Sequence, residues 1–266
     1  MKGLRIAVIV AVGTLFAAPH VYGQATDLEF KCEKAVNKAG VKFVASKSKC
    51  VQKCLATQWK SLTPTFSDCY PPYGGVTAQC IYSIPLKPGK SAEEAFTAAI
   101  LKACVGTGDP LKYDCPECYS GGDCTTESND RVQNIEGQVD SFVPGVGCEG
   151  AGANKDEQKC QTSTAKALTK QVGSLNKCYD KCVANVRKGL IPAGSCNPPT
   201  SDPTTQACVT KGDGKTIAAI DKACLIDKAD CTGPDSNDYP DGASWTNLVD
   251  VAITGNVPST YCEGDL

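Results

Sequence analysis

The cysteines of this chain repeat themselves. Cys32, Cys50, Cys54 and Cys80 recur 128 residues later as Cys160, Cys178, Cys182 and Cys208. Self-similarity at a fixed offset marks a duplicated structural unit, and here the unit is defined by its cross-linking residues. The agreement extends beyond cysteine. Lys49–Cys54 (KCVQKC) answers Lys177–Cys182 (KCYDKC), Cys69–Pro72 (CYPP) answers Cys196–Pro199 (CNPP), Ala98–Cys104 (AAILKAC) answers Ala218–Cys224 (AAIDKAC), and Cys148–Gly150 answers Cys262–Gly264. The offset falls along the way from 128 to 127, 120 and 114, so the second copy has the shorter loops. One copy runs from about Asp27 to Gly150 and the other from about Lys155 to Gly264, and the small-residue stretch Glu149–Asn154 (EGAGAN) reads as the linker between them. The chain divides accordingly into residues 1–23, 24–150 and 151–266.

Residues 1–23 read as a cleaved export signal. Lys2 and Arg5 precede an apolar run from Ile6 to Ala18, and small residues follow at Gly23 and Ala25. The run is too short to span a bilayer, and no later stretch is apolar enough to anchor the mature chain. The expected location is therefore secreted or periplasmic. Without Lys2 and Arg5 the chain keeps 25 basic residues against 29 acidic, a charge of about −4 that argues against nucleic acid as a partner.

All 18 cysteines follow the signal. An even, regularly spaced set in an oxidising compartment reads as a disulfide framework rather than as thiolate zinc sites. Eight correspond between copies: Cys32, Cys50, Cys54, Cys69, Cys80, Cys104, Cys115 and Cys148 match Cys160, Cys178, Cys182, Cys196, Cys208, Cys224, Cys231 and Cys262. Cys118 and Cys124 are left over. The simplest arithmetic is four bridges per copy plus one loop closed by Cys118 and Cys124. Cys50 and Cys54 lie one helical turn apart and point the same way, so they are expected to pin the loop carrying Cys69 and Cys80 rather than each other. An antiparallel second helix brings Cys104 to Cys32, and Cys115 is then expected to tie to Cys148.

The fold class is mainly α and disulfide-rich: two tandem homologous helical modules with long Pro- and Gly-rich loops. Val36, Ala39, Phe43, Cys50 and Cys54 mark one face of a long helix that stops before Pro64, and Leu168, Val172, Leu175, Cys178 and Cys182 repeat it up to Gly189 and Pro192. Ser91 with Glu94 forms a capping box for a second helix ending near Gly106, whose counterpart is expected over about Lys215 to Asp227. A third, weaker helix holds Val132, Ile135 and Val139, mirrored by Trp245, Leu248 and Ala252. A short extended stretch is expected near Cys80 to Pro85.

Missing residue types exclude much chemistry. The only His is His20 and the only Met is Met1, both before the mature chain. Serine–histidine and cysteine–histidine catalysis, imidazole zinc sites and histidine or methionine haem ligation are therefore excluded. The spacing of the acids marks no catalytic pair. Cys115-Pro-Glu-Cys118 has the spacing of a redox motif, but it lies in a Gly-rich loop rather than between a strand and a helix, and reads as structural. The acidic loop Asp235–Asp241 offers oxygen ligands without an EF-hand pattern and reads as solvated. No residue is assigned a catalytic or metal-binding role, and no cofactor is expected.

The lysines are ordered. Lys31, Lys38, Lys42, Lys49, Lys53 and Lys60 recur 128 residues on as Lys159, Lys166, Lys170, Lys177, Lys181 and Lys188. At helical spacing each set falls within an arc of roughly 60° and forms a stripe about 43 Å long. Such a stripe is either a solvated helix face or a docking strip for an acidic polymer, an anionic envelope surface or the acidic loops of another copy.

This arrangement, Lys-Cys followed by Lys-Cys-x-x-Lys-Cys and a Cys-x-Pro-Pro loop, resembles exported bacterial Cys- and Lys-rich helical repeat proteins of unassigned function. The resemblance covers both copies and carries no activity. The expected function is a secreted, non-enzymatic binding or structural protein, with an anionic envelope or extracellular partner. The alternatives are a thiol–disulfide or other histidine-independent enzyme, favoured by reactive thiols, and a small-ligand carrier, favoured by a sizeable apolar cavity.

Overall fold

The computed structural model describes residues 25–60, 66–82, 91–106, 114–119, 121–142, 146–147, 154–224, 241–262 and 266. Among them are seven α-helices and no strand: α1 (Asp27–Gln58), α2 (Gly75–Ile81), α3 (Ala92–Cys104), α4 (Cys124–Phe142), α5 (Lys155–Arg187), α6 (Pro203–Ala223) and α7 (Gly242–Thr260), with a 3₁₀ turn at Phe66–Cys69. The fold is mainly α and disulfide-rich.

Local chemistry sets the helix ends. Thr26 with Glu29, Ser91 with Glu94 and Asn154 with Glu157 form reciprocal capping boxes that start α1, α3 and α5. Asp202 and Asp241 cap α6 and α7 through the amides of Thr205 and Ser244. Gly189 closes α5 in the left-handed region, at φ +67°, where its amide and that of Leu190 reach back to Val186 and Asn185.

Three expected elements differ. Cys80 and Ile81 are helical, inside α2, rather than extended; residues 83–85 lie outside the described residues. In the second half a single 21-residue helix, α6, replaces the separate α2 and α3. The cause is legible in the offset, which drops by eight between Cys80/Cys208 and Cys104/Cys224. The connecting loop is deleted, and the two helices run on as one. The third helix is also longer than its periodicity indicated, because α4 begins at Cys124, eight residues before Val132.

Eight disulfides join the described cysteines, none of which is free. Cys32–Cys104, Cys50–Cys80 and Cys54–Cys69 are matched by Cys160–Cys224, Cys178–Cys208 and Cys182–Cys196. The Cα separations agree closely, 4.8 Å in both members of the first pair and 5.8 Å in both members of the second. As expected, Cys50 and Cys54 pin the segment carrying Cys69 and Cys80. Two expected pairings are corrected. Cys115 bonds Cys124 rather than Cys148, and Cys118 bonds Cys262 rather than Cys124. Cys148 and Cys231 lie outside the described residues.

The Cys118–Cys262 bridge links the two halves, and its surroundings show why it forms there. The Cys262 amide donates to Glu33 Oε1 at 2.9 Å, and the Tyr119 hydroxyl donates to the Thr260 carbonyl. The end of the second half is thus seated against the first. The main core is shared too. Val44, Val51 and Leu55 of α1 join Leu168, Val172 and Leu175 of α5 with Val249 and Ile253 of α7. A smaller cluster in the first half is built around Phe43 and Phe96, with ring centroids 5.4 Å apart.

Candidate functional site: the lysine face

All twelve lysines of the two stripes are exposed. Their placement follows from how α1 and α5 pack. Val41 lies against Gly173, the Thr169 hydroxyl donates to Ser48 Oγ at 3.2 Å, and Asn37 Nδ2 donates to Asp180 Oδ1 at 2.7 Å. As numbers rise along one helix they fall along the other, so the pair is antiparallel. Viewed down α1 at about 100° per residue, four directions separate. Asn37, Val41 and Ser48 face α5. Cys32, Phe43 and Cys50 face α3 and the disulfides, on the side away from α5. Gly40 and Lys47 face α4. Lys31, Lys38, Lys42, Lys49, Lys53 and Lys60 occupy the remaining quarter, opposite α4, where no described element packs. The same directions recur on α5 with α6 and α7 as neighbours. The helices therefore form a layer ordered α3–α1–α5–α6, with α4 and α7 packed beneath it.

An antiparallel pair that meets through equivalent faces is related by a two-fold axis normal to the pair, and that axis keeps up-facing residues facing up. The two stripes, separate in sequence, therefore lie side by side on one open face. Their register interleaves them, with Lys42 falling between Lys170 and Lys177, so an ammonium group recurs about every 5 Å along the face. Twelve of the 27 Lys and Arg lie here, and the other fifteen are set against 29 Asp and Glu. A chain that is slightly acidic overall is thus strongly polar in its charge distribution.

Beneath the face lie polar groups that sequence reading missed. Lys47, wholly buried, sits 2.6 Å from Glu136 Oε1 and 2.7 Å from Asp140 Oδ1 on α4, with its ammonium 5.1 Å from the centroid of the Tyr73 ring. The Tyr73 hydroxyl donates to Asp140, and burial together with this carboxylate pushes the phenol far above its usual range. Burial and Glu136 push Tyr82 up to about 12. In the second half, buried Gln171 donates to Asp213 at 3.3 Å, to the Thr246 carbonyl at 3.1 Å and to Asp250 at 2.8 Å. Burial, reinforced by the Asp213 charge, raises Asp250 to about 6, and burial raises Asp213 as well. The two carboxyls both accept from Gln171 at the junction of α5, α6 and α7.

The other sequence candidates fall as follows. Cys115 and Cys118 are not bonded to each other but to Cys124 and Cys262, so the Cys-x-x-Cys segment holds two half-cystines with separate partners rather than a dithiol pair. Cys32 and Cys124 bring their sulfurs within 3.9 Å, but each is already in a bridge, so the cluster offers no thiolate ligand. Asp241 is the cap of α7, and Asp235 and Asp238 lie outside the described residues. An apolar space lined by Val36, Val44, Ile135, Val172 and Ile253 measures about 30 Å³, room for a water molecule rather than an organic ligand. Among the described residues no helix is long and apolar enough to cross a membrane.

No protein-family model, no curated protein and no solved structure matches this chain.

Proposed function

We propose that this chain is an exported, non-enzymatic binding protein, built from two copies of a disulfide-stapled helical unit, that presents the α1/α5 lysine face to an anionic envelope or extracellular partner. One observation carries the reading: the twelve lysines shared between the copies are all exposed and converge on a single face that no described element covers. Lysine is suited to the task because each ammonium is a mobile point charge on a long stem, indifferent to the geometry of the acceptor. Screening confines the field to about 8 Å at physiological ionic strength, so the face works on contact rather than by long-range attraction. The matched disulfide pairings support duplication, and the pairing of every described cysteine suits an oxidising compartment. The test is titration of the mature protein with a panel of a sulfated polysaccharide, inorganic polyphosphate and anionic vesicles at low and near-physiological salt. Binding that weakens steeply with salt, and disappears when Lys38, Lys42, Lys49, Lys166, Lys170 and Lys177 are changed to Glu, is the expected result. Failure to bind any of the three at low salt would overturn the reading.

A further inference from the structure

The two halves are not equivalent where the lysine stripe meets the neighbouring helix. In the first half α3 closes onto α1 through Phe43 and Phe96, both buried. At the equivalent positions the second half has Gln171 and Thr216, and Ala95 is answered by Lys215. Beside Gln171, Lys215 and Thr216 lies an open cleft of about 370 Å³ between α5 and α6, and through Ala167, Lys170 and Ala219 it runs on into a second of about 380 Å³, the two forming one channel. Lys159, Lys166 and Lys170 line it from α5 and Lys215 and Lys222 from α6, and all five are exposed. Its floor is small: Ala167, Ala219 and Gly212, the last so close to Ser174 that an added methyl would come within 3.2 Å of its hydroxyl. The hydroxyls of Ser163 and Ser174 supply neutral donors, while that of buried Thr216 donates to the Gly212 carbonyl.

From this asymmetry we infer that the α5/α6 channel is the principal ligand seat, and that it takes one strand of a linear polyanion bearing its charges along a base-free backbone, of the polyphosphate type. The inference rests on the lysine-face reading and narrows it. Among the described residues the channel lining contains no aromatic side chain on which a nucleobase or a sugar ring could stack. Five ammonium groups and two hydroxyls recognise anionic oxygens alone. The channel opens onto the lysine face through Lys159, Lys166 and Lys170, which belong to both, so a strand seated in it continues onto the face without leaving positive charge.

The experiment uses the full mature, oxidised protein and inorganic polyphosphate of a few dozen units, followed by calorimetric titration at fixed salt. Two variants remove the same number of charges from equivalent positions: Lys166→Ala/Lys170→Ala/Lys222→Ala in the second half and Lys38→Ala/Lys42→Ala/Lys102→Ala in the first. All six positions are exposed, so both variants are expected to fold. The second-half variant should lose about 30-fold or more in affinity and the first-half variant only a few-fold, since three more backbone contacts are lost in one than in the other. Thr216→Phe, which restores the first half's bulk while keeping every lysine, should lower affinity about as much as the second-half triple. Equal losses from the two triples, or full binding by Thr216→Phe, would overturn the channel and leave the face reading standing. No polyphosphate binding by the unaltered protein at low salt would overturn the polyphosphate-type ligand, and if the sulfated polysaccharide and vesicles also failed to bind, the face would fall with it. Tighter binding of single-stranded DNA than of polyphosphate at equal charge would overturn the base-free assignment.

Discussion

Lys47 offers the sharpest test of how the first half is held together. Every stripe lysine has a lysine counterpart in the second half, but Lys47 is answered by Leu175, which is 1% exposed and part of the main apolar core. Lys47→Leu thus installs at one site the second half's own solution. It leaves Glu136 and Asp140, four residues apart on α4 and 17% and 19% exposed, without the cation between them. Removing one partner from a buried ion pair costs about 3–5 kcal/mol. The partial exposure of both carboxylates lets water recover some of this, which places the cost near 3 kcal/mol. For a chain of this size 1 kcal/mol shifts the melting temperature by roughly 2–4 °C, so scanning calorimetry of the oxidised variant should show a fall of about 6–12 °C. Adding Glu136→Gln and Asp140→Asn removes the stranded charges and should restore most of the loss, because a buried ionic cluster replaced as a whole is close to neutral in stability. A single variant that melts within about 2 °C of the parent would refute the reasoning. So would a triple variant no more stable than the single one, since the loss would then come from packing rather than charge.

The carboxyl pair predicts a pH dependence of opposite sign to the usual one. Asp250 is raised to about 6 in the fold, by burial first and then by Asp213, so the native state binds more protons than the unfolded chain between about pH 4 and pH 6. Stability should therefore fall as pH rises through that window and level off above it. The contribution is roughly 1–2 kcal/mol, after discounting for a half-exposed group. Asp250→Asn, which keeps an acceptor for Gln171, should flatten the slope in melting temperature against pH and stabilise the protein most at neutral pH. Removing the bridge between the halves with Cys118→Ser/Cys262→Ser opens a loop of 144 residues and should cost about 5 kcal/mol. Cys115→Ser/Cys124→Ser opens one of nine and should cost less, about 2–3 kcal/mol; denaturant melts that reverse this order would contradict the chain-entropy account. A thiol titration of the unfolded, unreduced mature protein should find no reactive sulfhydryl.

What the sequence made legible was whatever both similar halves carry. The pinning of the segment carrying Cys69 and Cys80, the Cys32–Cys104 pairing and the capping box at Ser91 could each be read from local spacing, because a helix turn fixes which cysteines share a face. The Cys118–Cys262 bridge could not. It depends on the end of α7 returning to the start of α1, where Glu33 receives the Cys262 amide, and nothing local encodes that return. The buried polar groups had a signal of a different kind. Lys47 against Leu175, Phe43 against Gln171 and Phe96 against Thr216 are among the buried positions where the two halves differ, and changed core chemistry sits there. Asp213 and Asp250 are unmarked even so, since they lie on different helices and meet across Gln171. The fused helix α6 was written in the offset, as eight missing residues between two cysteines.

The charge distribution and the cross-links have one physical explanation. Neighbouring ammonium groups about 8 Å apart repel by about 0.5 kcal/mol per pair in water before screening, and a face of twelve accumulates several such terms. A helix pair held only by apolar burial has little margin for that cost, and this chain has six Phe and two Trp to bury. The disulfides change the balance. Cys32, Cys50 and Cys54 on α1, with their counterparts on α5, lie on the side of each helix away from the partner long helix, and each bridge contributes about 2–4 kcal/mol without requiring any part of the lysine quarter. The staples therefore hold the outer helices in place while the fourth face of α1 and α5 stays free to carry like charges. An anionic ligand laid along that face removes the repulsion, so binding should raise the melting temperature by more than it does for a variant in which alternate stripe lysines are already neutral. If neutralising the stripe left the unliganded protein no more stable than before, the face would be an unstressed solvated surface, and a reason for its lysines would have to be sought elsewhere.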